Sequence, residues 1–118
     1  MVLSPKIQGS DRIREVFARV CNGDLGVADL YAEDAVVIFG DGAEARGRDH
    51  IRSFYQHAID GIRPKPEVEA LLEAPPLYVA VVNVPTTEGS RRAVDVFRIE
   101  DGEIQSLEIY SHGPLENR

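Results

Sequence analysis

Cysteine is nearly absent from this chain of 118 residues, which contains Cys21 and no other. A single thiol excludes an intrachain disulfide and leaves no cysteine pair for a zinc site. Cys21 follows Val20 near a predicted helix end, where a small polarisable side chain usually serves packing. We therefore expect no disulfide framework, no metal ion and no other cofactor in this protein.

Long apolar runs are also missing from the sequence. No stretch approaches the roughly 20 residues that a membrane helix needs. The first residues, Met1 to Lys6, contain no long apolar segment of the kind found in secretory signals. The sequence thus predicts a cytoplasmic protein that does not enter a membrane.

Positive charge is scarce, since 13 Lys and Arg residues stand against 20 Asp and Glu residues and give a formal net charge of −7. Binding to a nucleic-acid backbone requires clustered Lys and Arg, so this balance argues against a nucleic-acid partner. Neither a glycine-rich phosphate loop nor a serine nucleophile elbow is present. With 43% hydrophobic residues, we expect residues 1–118 to form one domain, with 1–9 as a lead-in and 113–118 as a tail.

The first part of the chain has helical periodicity. Apolar residues recur at offsets of three and four between a cap at Ser10 or Asp11 and a stop at Asn22-Gly23, which predicts an amphipathic helix. This stripe consists of Ile13, Val16, Phe17 and Val20. A short second helix is predicted over residues 24–31.

A short strand and a third helix follow. Residues 35–39 are apolar and β-branched, which favours a strand, and Gly40-Asp41-Gly42 then predicts a loop. The third helix is predicted from Gly47 to Gly61, because apolar residues again recur at helical spacing between these two glycines.

The second half of the chain has strand periodicity. Residues 67–74 alternate in a way that favours a strand, although their spacing also fits a helix. Asp101-Gly102 is the strongest hairpin signal in the sequence. Further strands are predicted over residues 77–84, 91–100 and 103–112.

This order of elements predicts an α+β fold. A run of antiparallel strands that follows helices favours a curved meander sheet with the N-terminal helices packed over one face. Such a sheet leaves a cone-like pocket, which is a common place for a small ligand.

Asp95 is the most informative residue of the predicted sheet. Side chains alternate along a strand, so within Ala93–Ile99 the carboxylate shares its face with apolar residues alone. The opposite face carries Arg92, Val94, Val96 and Arg98, and we expect Arg91, Arg92 and Arg98 to be exposed or to lie in dimer contacts. An ionised carboxylate facing an apolar interior must find a partner or take up a proton, and a neutral acid can donate a catalytic hydrogen bond. A structural Asp paired with a basic residue or a backbone donor is the alternative.

Several segments of the chain resemble the nuclear transport factor 2-like superfamily. They are Gly23-Asp24, Asp29 to Val36, Gly47-Arg48 with Ile51 to Tyr55, and Val94 to Ile104. The resemblance implies the helix-covered, curved sheet described above, and it implies a homodimer formed through the sheet faces. The fold hosts isomerases, polyketide cyclases, epoxide hydrolases, dehydratases and non-catalytic domains.

Within this superfamily the chain is most similar to ketosteroid isomerases and polyketide cyclases. In ketosteroid isomerases an aspartate base moves a proton next to a carbonyl, while a tyrosine and a protonated aspartic acid stabilise the oxyanion. The resemblance places that aspartic acid at Asp95 and two supporting tyrosines at Tyr31 and Tyr55. Phe39 occupies the position of the base and Val16 that of the principal tyrosine, so the steroid-isomerase site is incomplete.

These observations predict a protein that binds a hydrophobic, carbonyl-bearing small molecule and transfers a proton as a steroid Δ-isomerase does. Asp95 would donate to the oxyanion with help from Tyr55, and Asp41 is the nearest candidate base, although an acid between two glycines is more often a turn former. The predicted substrate-binding residues are Tyr31, Phe39, Val16, Val37, Phe54 and Phe97.

Other interpretations remain open at this point. A polyketide cyclase-like aldol closure needs the same acid and a substrate that is itself acidic. A non-catalytic ligand-binding or dimerisation domain is favoured by Phe39. His112 is a further candidate base, whereas His50 and His57 lie about 10.5 Å apart along a helix axis, too far to share one metal.

Overall fold

A computed structural model describes residues 9–112 of the chain. The predicted lead-in and tail lie outside the described residues, except that Gly9 already belongs to the first helix. The elements in chain order are α1 (Gly9–Cys21), a short 3₁₀ helix (Leu25–Leu30), β1 (Tyr31–Phe39), β2 (Glu44–Arg46), α2 (Arg48–Gly61), β3 (Glu67–Ala74), β4 (Leu77–Thr86), β5 (Gly89–Glu100) and β6 (Glu103–His112).

The strands form one six-stranded sheet in the order β2-β1-β6-β5-β4-β3. The predicted meander is confirmed for β3 to β6, which pair antiparallel with their neighbours in sequence. β1 lies parallel to β6, and β2 pairs antiparallel with β1. The two helices pack over one face, so the predicted α+β architecture is confirmed.

The front strand is longer than the sequence predicted. β1 begins at Tyr31, which was expected to end a helix, rather than at residue 35. The pairing with β6 shifts register between Tyr31 and Val36, and the exposed Glu33 and Asp34 lie in this irregular stretch. A bulge adds residues to one strand, so the alternation of buried and exposed residues is lost there. The two adjacent exposed charges therefore do not fit the period-two pattern from which a strand is predicted.

β2 was not predicted at all. It has three residues, and of these Ala45 alone is buried. A segment this short is too small for any periodicity to appear in its sequence.

The first helix buries the predicted apolar stripe of Ile13, Val16, Phe17 and Val20. It begins at Gly9, where the chain passes so close to the ring of Tyr78 that an added Cβ would overlap a ring carbon. Ser10 or Asp11 was expected as the cap, but both lie inside the helix, and the Ser10 hydroxyl donates to Glu73 of β3. This bond and the Tyr78 contact attach the start of α1 to strands β3 and β4.

The ambiguous segment 67–74 forms strand β3, as preferred from its alternation. The Asp101-Gly102 hairpin is also confirmed, with φ of 55° and 79° at the two turn residues. Both residues therefore adopt the left-handed conformation that a type I′ turn requires.

The helices and the concave face of the sheet enclose the core. Its largest fully buried side chains include Tyr31, Phe97, Ile13, Ile51 and Ile104. Within residues 9–112, no helix has the length and apolar character needed to cross a membrane.

Candidate functional site

A cavity of about 240 Å³ lies between the two helices and the concave face of the sheet. Its lining is mostly apolar, with Val16 and Phe17 from α1, Phe54 from α2, Phe39 from β1 and Phe97 from β5. The cavity is therefore suited to a compact hydrophobic ligand.

Asp95 lines this cavity from the middle of β5. Its side chain is 6% exposed, and Oδ1 is buried without a hydrogen-bond partner among the described residues. Its neighbours across the sheet are Ala80 and Ile109, whose side chains cannot donate. Burial raises the pKa of Asp95 from its ordinary value of 3.8 to about 7. Both the acid and the carboxylate are thus accessible near neutral pH.

Two tyrosines form a pair beside Asp95. The hydroxyl oxygens of Tyr31 and Tyr55 lie 2.6 Å apart in a buried hydrogen bond. Tyr55 lines the cavity, whereas Tyr31 is fully buried behind it. Burial raises the pKa of both phenols above the ordinary value, and the charge of Asp95 adds to this shift. Both are therefore neutral. Either hydroxyl can donate in this bond, and where Tyr31 donates to Tyr55, the Tyr55 proton is free for a ligand.

An aromatic cluster surrounds Phe39, the position to which the resemblance to ketosteroid isomerases assigns the base. The rings of Phe39 and Phe54 have centroids 4.9 Å apart, and Phe54 packs equally close to Tyr55. These rings leave an apolar surface at this end of the cavity.

Two of the predicted lining residues are absent from the cavity surface. Val37 and Tyr31 are fully buried in the core. Strand alternation places Val37 on the same face as Phe39. It does not show which positions on that face line the cavity and which are packed in the core. The other predicted lining residues, Val16, Phe39, Phe54 and Phe97, do line the cavity.

Asp41 lies apart from Asp95, in the exposed turn between β1 and β2. Its Oδ1 accepts the backbone N–H of Ala43 at 2.9 Å, as a turn-forming aspartate does. Gly42, with φ of 89°, helps to reverse the chain here. Strand alternation ends at Phe39, so the spacing of two residues does not place Asp41 on the same face as Phe39. The turn does not bring Asp41 to the cavity lining.

Arg91 was missed as a site residue, and the expectation that it is exposed is wrong. Arg91 lies on β5 four residues before Asp95, so it shares the concave face with Asp95, lines the cavity and is half-buried. The concave face of β5 therefore carries a second charged side chain beyond the apolar stretch Ala93–Ile99. Counting back four residues from Asp95 along the strand would have found Arg91.

The histidines contribute no described group to the cavity lining. His50 and His57 are exposed on α2, and the side chain of His112 lies outside the described part of the chain. Within that described part, no three His, Cys, Asp or Glu side chains are grouped so that they could hold a metal ion.

Comparison with known proteins agrees with this fold. The model of the SnoaL-like domain family matches residues 13–107. No curated protein matches the chain in sequence.

Solved structures share the fold at low sequence identity. An NTF2-like protein of unknown function from Cytophaga hutchinsonii superimposes with a TM-score of 0.80 at 15% identity, covering 93% of this chain and 95% of that one. SalBIII, described as an epoxide hydrolase/cyclase-like enzyme in pyran ring formation in the polyether salinomycin, gives 0.80 at 17% identity, covering 87% and 89%. A candidate SnoaL-like polyketide cyclase from Jannaschia sp. CCS1 gives 0.76 at 15%, covering 94% and 90%.

The family match extends from α1 to β6 and includes both helices and the strand that carries Asp95. The helix-covered sheet is the fold that these neighbours share with the chain. The chain belongs to the SnoaL-like domain family of the nuclear transport factor 2-like superfamily.

Proposed function

We propose that this protein binds a compact hydrophobic molecule with carbonyl groups and catalyses its intramolecular aldol closure, in the manner of a polyketide cyclase. The observation that carries the proposal is the Asp95 carboxyl, which lines an apolar cavity with Oδ1 unpartnered among the described residues. A buried polar group without a partner is costly to folding. A carbonyl oxygen of a ligand would accept the proton of Asp95 and remove that cost.

The reaction would proceed from the enol of the substrate. The enol carbon attacks the second carbonyl and forms the new carbon–carbon bond, while Asp95 gives its proton to the oxygen of that carbonyl. The enol oxygen becomes a carbonyl as it releases its own proton, and the Asp95 carboxylate takes this proton up. A pKa of about 7 suits Asp95 to both transfers near neutral pH.

Tyr55 would serve as a second donor in this step. Its phenol lines the same cavity and stays neutral because burial raises its pKa. A neutral donor held in place by Tyr31 stabilises developing negative charge on a carbonyl oxygen without reorganising.

Aldol closure is favoured over steroid isomerisation by the lack of a second acid–base residue. Among the described side chains that line the cavity, Asp95 is the one carboxyl group, and Phe39 lies where the isomerases carry their base. A substrate with a methylene between two carbonyls enolises readily and needs no strong base. The likeness to a candidate polyketide cyclase and to an epoxide hydrolase/cyclase-like enzyme supports the same reaction class.

The cavity also argues against a purely structural domain. A domain that has lost its ligand would gain stability by filling the space with larger side chains, since empty apolar volume costs contacts. Here the space persists beside a destabilising acid, as expected when function maintains both.

A direct test uses a linear triketone whose acidic methylene lies between two carbonyls and can close a ring onto the third. We expect the protein to accelerate ring closure, followed by NMR, and Asp95→Asn to lose about a hundredfold or more of that rate. Asp41→Asn, an aspartate outside the cavity, is the matched control and should keep the rate. Equal rates for the wild type and Asp95→Asn would refute the proposal.

Isomerisation of a standard steroid enone is the second candidate, favoured by the acid retained at Asp95. We expect it to be weak or absent, because Phe39 and Val16 remove the base and the principal donor, each worth about a hundredfold or more in rate. Ultraviolet absorbance of the conjugated enone measures the turnover. A rate typical of the isomerases would show that another residue has taken the role of the base.

We further propose that the protein works as a homodimer joined through the convex face of the sheet. This face lies opposite Asp95 and exposes Val94 and Tyr110, which pair directly across β5 and β6. A second copy would cover these apolar side chains.

A further inference from the structure

Two charged residues line the cavity from the same strand. Asp95 and Arg91 both lie on the concave face of β5, four residues apart. At a rise of about 3.3 Å per residue, their backbones are separated by about 13 Å along the strand. The cavity therefore has an acid in its apolar interior and a cation toward the β4–β5 hairpin.

The guanidinium of Arg91 forms no ion pair with a carboxylate among the described residues. Its neighbours on the opposite face of the strand do form ion pairs, Arg92 with Glu69 at 2.7 Å and Arg98 with Glu100 at 2.9 Å. Arg91 has no salt bridge and no side-chain hydrogen bond within residues 9–112, although it is half-buried beside Val84. A partly desolvated cation next to apolar surface favours an anion from elsewhere.

We infer that Arg91 binds a carboxylate of the substrate and thereby sets its orientation. The inference rests on the proposed function, since it takes the cavity to be the substrate site. The planar guanidinium can hold both oxygens of a carboxylate, which fixes direction as well as position. With the carboxylate at Arg91, the carbonyl end lies at Asp95.

The reverse orientation is unfavourable at both ends. A substrate carboxylate placed against Asp95 would oppose any negative charge on that residue and would lie in the apolar part of the cavity. The carbonyl would then leave Arg91 unpaired. The two residues together therefore select a keto acid over a neutral ketone.

The size of the cavity narrows the class further. About 240 Å³ is small compared with the ~300–1,000 Å³ of typical ligand pockets. The substrate class is thus a compact, hydrophobic keto acid with its carboxylate and its reacting carbonyl at opposite ends, rather than a large polycyclic ketone.

Binding of three fluorescent probes tests this inference: β-naphthol, its derivative with a carboxylate on the distal ring, and the methyl ester of that derivative. The phenol of each probe mimics an enol. We expect the carboxylate to bind about tenfold more tightly than the ester. This preference should shrink as salt is added, because the guanidinium is only partly shielded from solvent.

Variants of adjacent arginines separate the roles of the two strand faces. Arg91→Met keeps an apolar stem and should abolish the preference for the carboxylate over the ester. Arg91→Lys should keep part of the preference, because an ammonium group retains the charge but cannot hold both carboxylate oxygens as a planar guanidinium does. Arg92→Met, on the opposite face of the same strand, should behave as the wild type, and circular dichroism verifies that each variant is folded.

The outcomes distinguish this inference from the proposed function. Equal affinity of the wild type for the carboxylate and the ester, with β-naphthol still bound, overturns the role of Arg91 and leaves the cavity as a ligand site. Loss of the preference in Arg92→Met to the same degree as in Arg91→Met also overturns it. Failure of all three probes to bind overturns the proposed binding site together with the inference.

Discussion

Asp95 is an ionisable side chain in apolar surroundings that favour its protonated form over the carboxylate. Burial is the main cause of its raised pKa, so the folded protein disfavours the carboxylate relative to the unfolded chain. The contribution of this residue to stability is therefore greatest below its unfolded pKa of 3.8, is lost as pH rises toward about 7, and stays low above that. The titratable groups that face the cavity or pair beside it are Tyr31, Tyr55 and Arg91.

Asp95→Asn should reveal this penalty, because the amide keeps the size and hydrogen bonding but not the charge. We expect the free energy of unfolding of the variant, relative to the wild type, to rise by about 3 kcal/mol between about pH 5 and about pH 8. Urea unfolding at the two pH values measures it. NMR titration of the carboxyl carbon gives the pKa directly, and a value at or below 4 would mean an ionised structural residue.

Among the secondary-structure elements, the β5–β6 hairpin connects the sheet to the first helix. Arg12 of α1 donates from Nε to the carbonyl oxygen of Gly102 at 2.8 Å. Gly102 has φ of 79°, a conformation that costs an L residue. The turn thus fixes both the register of the two strands and the position of α1 over the cavity.

Gly102→Ala should destabilise the protein by about 1 kcal/mol, because the added Cβ is strained at positive φ. Gly61→Ala, at the end of α2 with open space around it and no positive φ, is the matched control and should be neutral or slightly stabilising. Thermal unfolding measures both variants. A melting temperature for Gly102→Ala equal to that of the control would contradict the role given to the turn.

At the level of the whole molecule, the convex face of the sheet is the surface that the helices leave uncovered. Val94 is 38% exposed and Tyr110 is 53% exposed at its centre. The ion pairs Arg92–Glu69 and Arg98–Glu100 lie on or beside this face. An apolar centre with a polar rim is typical of a protein interface.

We expect sedimentation analysis to find a dimer at micromolar concentration. Val94→Asp should convert it to a monomer, because a charge would be buried without a partner in the interface. Gln56→Asp, an exposed position on α2, adds the same charge away from the convex face and should leave the dimer intact. A monomeric wild type would contradict the expected homodimer.

The sequence by itself determined the element types apart from β2 and the start of β1, the hairpin at Asp101-Gly102 and the face on which Asp95 lies. These follow from local rules, since strand alternation, helical spacing and turn chemistry act over a few residues. The same rules contained the position of Arg91, because the strand predicted over residues 91–100 already places it on the face of Asp95, four residues away.

Tertiary structure alone decided which of these residues share the cavity. The parallel pairing of β1 with β6 and the bulge after Tyr31 depend on contacts between distant segments, which no local pattern encodes. Contacts between distant segments also bury Val37 and Tyr31 in the core and leave Asp41 in a turn. They likewise leave Asp95 Oδ1 without a hydrogen-bond donor among the described residues. Burial and hydrogen-bond satisfaction are properties of the packed molecule, so the raised pKa of Asp95 arises only when helices and sheet enclose it.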